Sequence, residues 1–167
     1  MADPARLKGG VVPRILASWR RPGEVVRGLR PISEGALLAI LMAAMLIFWI
    51  AQAPGHARAA VENPDVPLGG RMAGAAMAVI FIMPLIAYAV AALADLALRL
   101  AGWRIAPADG RLALFWALLA VAPAVLLTGL VAGLVGPGAG LNITGALSGL
   151  GFLFIWGAGL RALAVRS

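Results

Sequence analysis

Three long stretches of this chain carry no charge. Residues 35–55 number 21, residues 72–94 number 23 and residues 112–160 number 49, bounded by Glu34 and His56, Arg71 and Asp95, and Arg111 and Arg161. About 20 apolar residues carry an α-helix across the ~30 Å hydrocarbon layer of a bilayer. The first two stretches therefore suit one span each. The third is too long for one and holds "GPGAG" at Gly136–Gly140, a glycine–proline break. The expected spans are about 35–53, 72–96, 112–135 and 141–160. They must be helical, because a backbone in lipid has to satisfy its hydrogen bonds within its own segment. The fold class is all-α: a polytopic integral membrane protein with four transmembrane helices across residues 34–165. A basic cytoplasmic segment, residues 11–33, precedes them, and residues 1–10 are expected to be disordered. Composition agrees, with 62% apolar and 13% charged residues against about 45–50% and 25% in soluble domains.

The basic residues set an orientation. Arg6, Lys8, Arg14, Arg20, Arg21, Arg27 and Arg30 precede the first span. Arg99, Arg104 and Arg111 surround the second connection, and Arg161 and Arg166 end the chain. With four spans these twelve share one side, leaving Arg58 and Arg71 on the other. Positive residues stay inside, so both termini are expected in the cytoplasm. An odd number of spans would break the pattern. The motif "AQA" at 51–53 resembles a signal-peptidase site, but the lead before it is too long, so the first span reads as a retained anchor. The net charge of +7 flanks apolar runs. It therefore points to anionic lipid headgroups rather than nucleic acid.

Asp95 and Arg99 pose the main chemical question, because an ionisable pair inside a membrane usually works. Counting from Arg71, Asp95 falls past about 34 Å of helix, at the cytoplasmic interface. The pair is one turn apart and reads as an interface anchor. No span holds an ionisable residue near its centre, which removes the usual requirement of a proton- or cation-coupled transporter. There is no cysteine, and the single histidine, His56, is placed in the outer loop beside Pro54 and Gly55. No catalytic, cofactor or metal site is expected, and the chain reads as a non-enzyme.

Inside the spans, small residues dominate. Gly129 and Gly133, and Gly145 and Gly149, form two G-x-x-x-G pairs, which let helices approach closely. Packing of the third span on the fourth is the preferred use, a dimer face the other. Pro84 and Pro123 sit mid-span and should kink their helices.

The lead segment, "VVPRILASWRRPGEVVRGLRPIS", places Val12, Ile15, Leu16 and Trp19 on one helical face. After Pro22, Val25, Val26 and Leu29 suit a second short helix. Arg14, Arg20, Arg21, Arg27 and Arg30 supply the opposing charge, as in a helix lying in the membrane interface. Arg14, Trp19, Arg20, Arg21, Arg27 and Arg30 are thus the expected contacts to lipid or a partner.

The run "WRRPGEVVRGLRP" leading into "GALLAILMAAMLIFWI", then a polar outer loop and Gly/Ala-rich spans, resembles bacterial members of the YIP family of small multi-span proteins. The resemblance implies a membrane-organising or partner-binding protein without catalysis. The family's "DLYGP" motif is absent, so no residue takes a family-derived role. The leading expectation is a scaffold or accessory protein of a bacterial inner membrane, contacting lipid and other membrane proteins or itself. The alternative is a small oligomeric transporter or channel with a pore near Pro84, Pro123 and Asn142.

Overall fold

The computed structural model describes residues 10–166. The tail expected to be disordered, residues 1–10, lies outside that range apart from Gly10. Two short helices come first, α1 (Val11–Ser18) and α2 (Pro22–Arg27). Then come α3 (Glu34–Glu62), α4 (Leu68–Ala76), a π-helical segment (Met77–Ile82) and α5 (Met83–Leu100). The last two long helices are α6 (Pro107–Leu134) and α7 (Ala139–Leu163). The fold is all-α, and four helices are long and apolar enough to cross a membrane: α3, the continuous α4–π–α5 rod, α6 and α7. This is a multi-pass membrane protein.

The helix ends differ from the charge-gap bounds. The chain does not leave α3 at Pro54. Ala57, Ala59 and Ala60 favour helix, and Arg58 donates to Glu62 at 2.8 Å one turn on. The helix runs through Pro54 to Glu62, so His56 belongs to α3 and not to a loop. At the other end Ser33 caps it, its Oγ accepting from the Ala36 N–H at 3.2 Å.

Pro84 takes a form the sequence did not announce. Its missing N–H and its ring disturb the preceding turn. The rod widens there into the π segment, where the Met83 N–H reaches the Ala78 carbonyl. Pro123 lies within α6, which continues through it.

Two observations put particular segments at one end of the bundle. Trp103–Arg104 (β1) pairs antiparallel with Val165–Arg166 (β2), joining the α5–α6 connection to the end of α7. Glu34 and Arg111, at the starts of α3 and α6, form an ion pair. We call this the arm end, because α1 and α2 also lie there.

Helix α6 is the axis of the fold. It is apolar on every side from Leu112 to Ala122, and a helix of that kind must be surrounded. Leu112, Phe115, Trp116, Ala117 and Ala120 are buried among α3, α5, α7 and the arm. From Pro123 onward none of its residues is buried.

Candidate functional site

The arm is built into the protein. Ile15, Ser18, Val25 and Val26 are buried. Of the predicted apolar face, Ile15 is buried, Trp19 is 37% exposed with one side of its ring against the bundle, and Val12 and Leu16 are exposed. The Trp116 Nε1–H donates to Ser18 Oγ at 2.8 Å, and Ser18 Oγ–H donates to the Arg14 carbonyl at 2.8 Å. The Trp19 Nε1–H donates to the Ala120 carbonyl at 3.0 Å. Its ring covers Gly151 of α7 so closely that a Cβ there would lie 2.5 Å from it. Deeper cover comes from Val26, over Gly159, and from Gly23, against Ala162. The arm therefore closes the side of α6 that α3, α5 and α7 leave open.

Docking fixes where the arginines point. Arg20, Arg21 and Arg27 are exposed. Arg21 lies 3.7 Å from Glu24, while Arg20 and Arg27 meet no carboxylate among the described residues. Arg14 is half-buried. Arg30 turns toward α6 and pairs with Asp109 at 2.9 Å. Asp109 is buried, in the first turn of α6, where a carboxylate also suits the helix dipole. Arg111 pairs with Glu34 and stands 5.9 Å from the centre of the Tyr88 ring, which meets Phe115 edge-on. These groups make one ionic layer at the arm end.

That layer locates Asp95 and Arg99. The Arg99 guanidinium grips Asp95 with bonds of 2.7 and 3.1 Å. Tyr88 is level with Arg111, and Asp95 follows seven residues later on the same helix, about 10 Å further by helical rise. The pair lies on the outer side of the ionic layer, away from the centre of the bundle.

The glycine pairs part company. A Cβ on Gly129 would collide with the Ala51 carbonyl, and one on Gly133 with Pro54. The partner of this motif is α3 rather than the expected α7. The two helices run parallel, and only glycine lets their backbones touch. Gly145 and Gly149 meet nothing within 4 Å among the described residues. The α6–α7 contact is made by other residues: Thr128 Oγ1 and Ser148 Oγ are 3.0 Å apart, one hydroxyl donating to the other, which in turn donates to a carbonyl one turn back in its own helix.

Two crevices open on the bundle surface. One, of about 400 Å³, lies between α3, the π segment and α6, with Gln52, His56 and Thr128 among apolar walls. The other, of about 500 Å³, follows the α6–α7 groove down to Trp19. Neither includes Pro84, Pro123 or Asn142. Among the described residues no three metal-ligating side chains come together.

Sequence reasoning did not find Ser18–Trp116, Arg30–Asp109, Glu34–Arg111 or the polar group around His56. The charges had a signal, since acids and bases flanking helix starts invite pairing. Ser18 and Trp116 had none, being 98 residues apart. No family model matches this chain, and no curated protein or solved structure does either.

Proposed function

We propose that the protein is a non-enzymatic scaffold or accessory protein of a bacterial inner membrane, both termini cytoplasmic, acting through its basic arm and through helix–helix contacts. The observation that carries this reading is the clamped arm. Ser18 bonds Trp116 and Trp19 bonds the Ala120 carbonyl, five and nine residues after Arg111, so the end of α1 lies about 7.5 to 13.5 Å inside the ionic layer by helical rise. A helix in the membrane interface sinks to about 5–10 Å. Val11, Val12 and Leu16 then meet acyl chains, and Arg20, Arg21 and Arg27 reach back to the headgroups along their apolar stems. Each basic residue near an anionic surface contributes about 1 kcal/mol of attraction. A freely tethered arm would sample many positions; this one offers its charges at one place. The sequence's resemblance to the YIP family would imply a membrane-organising role, and the excess of basic residues at the arm end supports the orientation.

Extraction in a mild detergent, followed by identification of co-purifying lipid and protein, tests the reading. The expected result is a defined larger assembly carrying anionic lipid, and loss of that lipid from the variant with Arg20, Arg21 and Arg27 all changed to Gln. A bare monomer with the same lipid in both forms would refute it.

A further inference from the structure

The scaffold reading leaves the crevice between α3, the π segment and α6 without a role. Its volume, about 400 Å³, lies within the ~300–1,000 Å³ of small-molecule sites. Its walls are graded. Phe48, Val79, Met83 and Val125 make the part nearer the centre of the bundle, and Gln52 and His56 stand toward the far end. Along α3, Phe48 is about 21 Å from Glu34 and His56 about 33 Å, by helical rise. With the ionic layer at one boundary, His56 falls at the opposite edge of the ~30 Å hydrocarbon and Phe48 well inside it. The polarity profile is that of an amphipathic molecule, head outward and tail inward.

One buried polar atom there lacks a partner. His56 Nε2 is buried and has no hydrogen bond among the described residues. Such an atom is costly unless something satisfies it. One turn earlier, Gln52 Nε2–H donates to the Phe48 carbonyl at 3.2 Å, and its Oε1 accepts no bond among the described residues. Thr128 is already committed, to Ala124 and Ser148. Among the described residues no charged side chain lines the crevice. Nearby Arg58 is held by Glu62 and lies against Gly136. The group seated at His56 is therefore neutral. The wall itself is unusual: the π segment contributes Val79, and π segments recur at functional sites.

We propose that this crevice binds one lipid-soluble molecule that presents a carbonyl to His56 and lays an apolar tail along Phe48, Val79 and Val125. A glycerolipid ester and an isoprenoid quinone ring share this chemistry.

The test uses the full chain purified in mild detergent, with native mass spectrometry and chromatography of an organic extract. Decylubiquinone and dioleoylglycerol serve as added probes. The wild type should retain about one molecule per chain or take up one of the probes. The mass of the retained molecule or the better probe tells which source supplies the carbonyl. His56→Leu, similar in bulk but without the ring nitrogen, should weaken retention about tenfold. His56→Gln, which keeps a polar tip, should lose less, and Val79→Trp, which fills the space, should abolish binding. Leu147→Trp, in the other crevice, should change nothing. Thermal unfolding of each variant controls for misfolding, and if Val79→Trp unfolds, the two His56 variants decide. The proposal is overturned if neither probe nor any native molecule binds, if His56→Leu retains as much as wild type, or if Leu147→Trp costs as much as His56→Leu.

Discussion

Gly129→Ala separates two effects that the same substitution produces elsewhere in this chain. In a helix interior, Ala is favoured over Gly by roughly 0.5–1 kcal/mol, because Gly loses more backbone entropy on folding. At Gly129 the added methyl would overlap the Ala51 carbonyl of α3. The obstacle is backbone, so no rotamer change relieves it, and α3 must move away from α6. That movement disturbs Leu41, Ala44 and Met45, all buried along the same helix. Overpacking of this sort costs about 1–3 kcal/mol, and a backbone clash belongs at the upper end. Subtracting the entropic gain leaves a net destabilisation of about 2 kcal/mol. Gly149→Ala has nothing within 4 Å to meet, so it should be neutral or stabilising by up to ~1 kcal/mol. Reversible unfolding in mixed micelles, followed by tryptophan fluorescence, gives both numbers. Adding Gly133→Ala to Gly129→Ala should cost less than the sum, because α3 has already been displaced. Equal effects at Gly129 and Gly149 would refute the parallel α3–α6 contact.

Trp116→Phe removes the donor to buried Ser18 Oγ and trims a fully buried ring, and should cost about 2 kcal/mol. If the arm opens separately from the bundle, trypsin cleavage after the exposed Arg20 should quicken about tenfold or more. Asp109→Asn leaves Arg30 without its carboxylate. Because Arg30 is 49% exposed, the loss should be about 1 kcal/mol in the same unfolding assay, and smaller at high salt. Asp95→Asn, at an i,i+4 pair whose arginine is 57% exposed, should change stability by under ~0.5 kcal/mol. A loss of several kcal/mol there would place Asp95 in a functional or buried network instead.

The spans were legible because charge is scarce and expensive in hydrocarbon, so Glu34, Arg71 and Arg111 mark boundaries unaided. The helix ends were not. Pro54–Gly55 looks like an exit, yet the alanines after it and the contact of Pro54 with Gly133 keep α3 going. The G-x-x-x-G spacing says that a neighbour can approach and says nothing of which neighbour. Gly129 found α3, and Gly145 found none. The arm's apolar period was readable at Ile15, Val25 and Val26. Its dock was not, because it depends on Ser18, a polar residue whose partner lies in another helix. The crevice at His56 was hidden twice over, by the loop assignment of that residue and by the π segment ahead of Pro84.

The central claim is the path of the chain: four crossings, with the arm, the α5–α6 connection and the end of α7 together at one end. The absence of cysteine makes labelling of single introduced cysteines in sealed vesicles the most direct measurement. Gly28→Cys and Arg104→Cys should react with a membrane-impermeant maleimide from one face, and Asn63→Cys and Ala139→Cys from the other. Labelling of positions 28 and 104 from opposite faces would contradict the account.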